Sequence, residues 1–88
     1  MKKVLYINTR DYQGGNWFVG VIFTIKEWKD CALVWCDLDG NEELYKLIKK
    51  QKNDEKLIDM INDIWSMNIV KYDENNNEHK NLKEEINK

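Results

Sequence analysis

Two hydrophobic periods alternate along this chain and divide it into strands and helices. Residues 3–9 (Lys-Val-Leu-Tyr-Ile-Asn-Thr) and 17–23 (Trp-Phe-Val-Gly-Val-Ile-Phe) are short runs of β-branched and aromatic residues. Each predicts a strand. Residues 11–16 between them contain Gly14 and Gly15, so the pair reads as an antiparallel hairpin with a long, aromatic-tipped loop. Gly20 inside the second run marks a bulge or a close backbone approach.

The period then changes. Thr24 and Glu27 have the spacing of a capping box, in which each side chain satisfies a backbone N–H of the other residue. Ile25, Trp28, Ala32 and Trp35 follow at i, i+3, i+7 and i+10, which predicts a helix over 25–36. Cys31 and Cys36 join its apolar side, and Lys26, Glu27, Lys29 and Asp30 form the polar one. The run 32–36 also fits a strand paired through Asp39-Gly40 with 44–48, because short apolar runs satisfy both patterns. Residues 37–40 stop the helix, with Gly40 as the break. Asn41 caps a short helix whose first turn holds Glu42 and Glu43, where the helix dipole favours acids. Leu44, Leu47 and Ile48 form its stripe.

Asn53 or Asp54 caps a third helix over 54–67. Leu57, Ile58, Met60, Ile61, Ile64, Trp65 and Met67 occupy one broad side, and Asp59, Asn62, Asp63 and Ser66 the other. Residues 69–72 (Ile-Val-Lys-Tyr) predict a strand that joins the hairpin. The expected architecture is α+β: a small antiparallel sheet packed against two or three α-helices, in one compact domain over 1–73. Residues 74–88 read as a charged Asn/Lys/Glu-rich tail, loosely helical through Leu82 and Ile86 or disordered.

Composition narrows the functional classes. Eighty-eight residues bury roughly 60–65% of the surface exposed by the unfolded chain, which leaves a thin stability margin. Four Trp, four Tyr and two Phe compensate, each ring burying about 150–250 Å². The formal charge of −2 gives no strong attraction to nucleic acid or anionic membrane. Thirteen of the fourteen basic residues are Lys; Arg10 is the single Arg. Bidentate reading of phosphate or guanine prefers Arg, so double-stranded DNA is not the expected partner. No signal peptide is read at the start and no apolar run approaches the ~20 residues of a membrane span. A cytoplasmic protein is the expectation. Cys31 and Cys36 on one helix point about 140° apart, so they are expected as reduced core thiols and not as a disulfide.

Candidate chemistry falls away residue by residue. A calcium loop with Gly40 at its sixth position puts Trp35 first and Lys46 twelfth, and neither can ligate. Zinc finds three donors, Cys31, Cys36 and His79, without ligand spacing. A Cys–His pair would join an apolar-face thiol to a tail histidine expected to be solvated, and Ser66 lacks a nucleophile-elbow context. Glu42/Glu43, Asp54/Glu55 and Asp59/Asp63 are carboxylate pairs with no cleft in view. Gly14-Gly15 is not a phosphate loop. No catalytic residue, cofactor or metal ligand is assigned, and the chain reads as non-enzymatic.

Protein binding remains. Arg10, Tyr12 and Trp17 in and beside the first loop are of the types enriched in interface hot spots. Asp37, Asp39, Glu42 and Glu43, with Asp59 and Asp63, form an acidic surface able to occupy a basic groove that normally holds nucleic acid. An alternative uses Tyr6, Tyr12, Trp17, Phe18 and Phe23, with Lys2, Lys3 and Arg10, as a stacking platform for single-stranded nucleic acid. The broad apolar side of the third helix allows self-association. Lys, Asn and Ile supply 33 of 88 residues and proline is absent, which points to an AT-rich genome. In size and composition, and in no motif, the chain resembles small proteins carried by phages and mobile elements of AT-rich bacteria. That resemblance implies binding and inhibition of a host protein, anti-defence inhibitors being one such class.

Overall fold

A computed structural model describes residues 4–10 and 18–86. Among them, β1 (Leu5–Asn8), β2 (Ile22–Thr24), α1 (Ile25–Leu38), α2 (Glu42–Lys50), α3 (Asp54–Ile64), β3 (Ile69–Lys71) and α4 (Asn77–Ile86) follow in order. The strands form an antiparallel sheet in the order β2-β1-β3, so the α+β expectation holds. The register places Tyr6 opposite Phe23 and Lys71, and Ile7 opposite Ile22 and Val70. Facing residues share a side of the sheet. Tyr6, Phe23 and Ile69 therefore belong to the face that meets the helices, where the core contains Trp28, Ala32, Cys36, Ile48, Leu57, Ile58, Ile61 and Met67.

Local chemistry explains each helix. Thr24 Oγ1 accepts the Glu27 N–H at 3.2 Å, and Glu27 Oε1 accepts the Thr24 N–H at 3.1 Å, closing the capping box. Residues 32–36 are helical, and α1 continues two residues past its expected end. It stops in a Schellman motif: Gly40 takes φ 68°, its N–H donates to Asp37 O, and the Asn41 N–H donates to Cys36 O. Asn41 Oδ1 then caps α2 through the Leu44 N–H, and Asn53 Oδ1 caps α3 through the Lys56 N–H. Lys29 of α1 donates to Gln51 O at the end of α2 at 3.1 Å, tying those helices together and meeting a helix C-terminus with a positive charge.

Aromatic rings run through the core as a connected series. Phe23 meets Trp28 edge-on at 5.0 Å, Phe18 lies 6.4 Å from Trp28, and Phe18 meets Trp35 edge-on at 5.0 Å. Trp35 meets Trp65 in the same way at 5.0 Å. The last ring reaches the surface, where the candidate site lies.

Several expectations are corrected. Residues 18–20 are a turn and not strand: the Val21 N–H returns to Phe18 O and buried Gly20 takes φ 78°, as the third position of a type II turn requires. The Gly20 N–H donates to Asn8 O at 2.7 Å, which is the close approach its position suggested. Helix α3 ends at Ile64, three residues early. Ser66 adopts φ 52° and the Met67 N–H returns to Asn62 O, so a Schellman turn forms without glycine. Leu47 is 59% exposed and leaves the α2 stripe. Asn62 is half-buried, not solvated: its side chain accepts the Ile69 N–H at 2.7 Å and donates to Ile69 O at 3.2 Å. His79 is also not solvated. It is 8% exposed, stacks on Tyr72, and its Nδ1 accepts the Asp73 N–H at 3.1 Å.

Candidate protein-interaction surface

The turn between α1 and α2 gathers four of the expected acids. The Schellman turn at Gly40 and the Asn41 cap fix where they project. Asp37, Asp39, Glu42 and Glu43 are all exposed. Asp37 and Glu42 line one depression of about 390 Å³ with Cys36, Gly40, Asn41, Tyr45 and Lys46. Asp37 also borders a groove with Leu33, Val34 and Tyr45. Asp39 stands at the edge of an apolar notch of about 250 Å³ lined by Trp35, Leu38, Trp65 and Met67.

Asp59 and Asp63 are exposed on α3 and line none of these three depressions. The structure thus brings Asp37 and Glu42 to one depression and Asp39 to another, with Glu43 exposed on the first turn of α2 and the α3 pair apart from all three depressions. Arg10 is exposed at the end of β1, while Tyr12 and Trp17 lie outside the described residues.

Sequence reasoning missed the apolar part of this surface. Leu38 is 78% exposed and Val34 56%, one helical turn apart on α1. Both positions follow from helical spacing once α1 is extended to residue 38. Trp65 and Met67 could not be placed beside Leu38 from sequence, because that arrangement depends on the non-glycine turn at Ser66.

Of the rings expected in a stacking platform, Tyr6 is in the core and Phe18 and Phe23 are half-buried against it, while Tyr12 and Trp17 lie outside the described residues. Tyr6 is 7% exposed, and Phe18 and Phe23 are packed against Trp28. Burial, and after it Asp54 and Glu55, raises the Tyr6 phenol above its ordinary value.

Of the two thiols, Cys36 belongs to the core and Cys31 stands partly exposed outside it. Cys36 is buried, Cys31 is half-buried, and both are free. Burial is the main force raising both, with Asp39 adding to Cys36, and Asp30 then Glu27 adding to Cys31. A raised thiol carries less thiolate than an ordinary cysteine at the same pH and so reacts more slowly, its rate rising with pH. At pH 7.5 the native protein should therefore react with a maleimide far more slowly than the urea-unfolded chain, with Cys31 ahead of Cys36. Mass spectrometry of timed samples checks this; equal native and unfolded rates would contradict it.

No group of three His, Cys, Asp or Glu side chains among the described residues is arranged to hold a metal ion. No helix among them is long and apolar enough to cross a membrane. No protein-family model, curated protein or solved structure matches this chain, so its function is argued from this surface alone.

Proposed function

We propose that this chain is a non-enzymatic protein-binding module whose acidic α1–α2 turn occupies a basic groove on a partner. The inhibitor reading fits this use: a small scaffold places carboxylates where a host nucleic-acid-handling or defence protein would hold phosphates. The observation that carries the reading is the collection of Asp37, Asp39, Glu42 and Glu43, all exposed, around one rigidly capped turn. Over residues 37–46 these four acids face one lysine, Lys46, a local balance of −3 (four negative, one positive). A concentrated patch of one sign steers association with the opposite sign and repels nucleic acid itself.

The test compares the tagged protein with its Asp37→Lys/Asp39→Lys and Glu42→Lys/Glu43→Lys variants in capture from host extract. The reading expects a retained nucleic-acid-binding protein that elutes with salt. Both variants should lose it by roughly tenfold or more, because each sets two positive charges against the basic groove. Asp59→Lys/Asp63→Lys should retain it. Retention by all three variants would defeat the acidic-surface reading.

A further inference from the structure

We propose that the notch between α1 and the end of α3 seats one apolar anchor residue from a basic amphipathic segment of the partner protein. This inference deepens the acidic-surface reading and rests on it.

Trp35 and Trp65, locked edge-to-face at 5.0 Å, form a rigid wall. Met67 supplies an adaptable floor, and Leu38 stands beside them with 78% of its surface open. At about 250 Å³ the notch is smaller than the roughly 300–1,000 Å³ typical of small-molecule sites. It is an open depression on the scale of one side chain, and surface-reaching Trp rings are among the residue types that most often pair with a partner's anchor. Val34, 56% exposed one turn before Leu38, extends the apolar strip along α1.

Charge selects the occupant. Asp39 lines the notch itself and Asp37 lines the neighbouring depressions. Glu42 shares one of those depressions with Asp37 and with Lys46, so the two acids there outnumber the one base. Lys49 and Lys50 lie at the far end of α2, about 10 Å along its axis from the acids. A second copy of this chain, docked through the same face, would set acids against acids across the two-fold axis. Anionic lipid and nucleic acid meet the same repulsion. A segment with apolar residues on one side and Lys or Arg on the other satisfies the strip and the acids together.

Three Trp-free peptides of about 18 residues, long enough to hold a helix, test this by fluorescence of the protein's tryptophans and by calorimetry. One is a Leu/Lys amphipathic helix. A Ser/Lys peptide keeps its charge without the apolar face, and a Leu/Glu peptide keeps the face with the opposite charge. The Leu/Lys peptide should bind at least about tenfold more tightly than either control, a difference of about 1.4 kcal/mol. Leu38→Ser should erase that advantage while circular dichroism stays unchanged, and Leu38→Met should keep it.

Equal binding of the Ser/Lys and Leu/Lys peptides would overturn the notch and leave the acidic surface standing. Equal binding of the Leu/Glu peptide, or Leu/Lys binding untouched by salt and by Asp37→Lys/Asp39→Lys, would overturn the basic partner and the acidic reading with it. Absence of Leu/Lys binding would overturn the inference outright.

Discussion

Trp28→Ala should remove a large share of the stability of this domain. Trp28 is fully buried at the junction of sheet and helices, against Phe23 and Phe18, and its Nε1 donates to Tyr6 O at 3.0 Å. Truncating a buried Trp to Ala costs about 3–5 kcal/mol, from lost transfer energy and from the cavity left behind. An 88-residue domain has about 4–13 kcal/mol in total, at ~0.05–0.15 kcal/mol per residue. The expected result is a urea midpoint lowered by roughly a quarter or more, and a protein largely unfolded at 37 °C where the parent's stability lies at the low end of that range. Trp28→Phe separates the two contributions. It keeps most of the ring packing and loses the indole hydrogen bond to the strand, at a cost of about 0.5–1.5 kcal/mol, because Tyr6 lies opposite Phe23 at a hydrogen-bonded position of the ladder and its carbonyl keeps that partner. Circular dichroism in urea reads both variants. A stable Trp28→Ala domain that has lost partner binding would mean that this ring belongs to an interface.

The features legible in the sequence are those that act over a few residues. The Thr24–Glu27 box, the Asn41 and Asn53 caps and the Gly40 stop are local exchanges of hydrogen bonds, and their side-chain types declare them. The apolar period of α1 and α3 is equally local. What escaped depends on partners far along the chain. Ser66 adopts positive φ because Met67 must turn back into the core, and a serine there carries no turn signal of its own. His79 is buried by its stack on Tyr72 and its hydrogen bond to the Asp73 backbone, in a segment whose composition alone says solvent. The acids of the candidate surface were visible as charges. Their grouping became visible only with the α1–α2 turn, and the notch only with Trp65 and Met67 in place. Periodicity assigned Trp35 to the core, yet the same ring is also a wall of that notch.

Asn62→Ala should be the second most damaging change, although helical spacing puts Asn62 among the polar residues of α3. Ile69 pairs with Asn8 at a position where β3 directs its N–H and C=O away from β1. Asn62 takes both groups, accepting at 2.7 Å and donating at 3.2 Å, and so acts as a one-residue continuation of the sheet. Ile69 is 2% exposed, so water does not readily replace the amide. Two stranded backbone groups at about 1–3 kcal/mol each give an expected loss of roughly 2–6 kcal/mol. The effect should appear as a lower urea midpoint and as faster hydrogen exchange of the Ile69 amide. Asn62→Asp makes the same point through pH. An ionised carboxylate still accepts the Ile69 N–H but faces the Ile69 C=O with no donor, whereas a protonated carboxyl restores both bonds. Folding then favours the protonated form, so the folded-state pKa of the new acid lies above its unfolded value. The variant's deficit relative to the parent should be largest at neutral pH and shrink as pH falls through that raised pKa toward the ordinary carboxylate range. A deficit in Asn62→Asp that is constant between pH 7 and pH 4, or an Asn62→Ala protein within about 0.5 kcal/mol of the parent, would show that the amide does not hold the edge of β3.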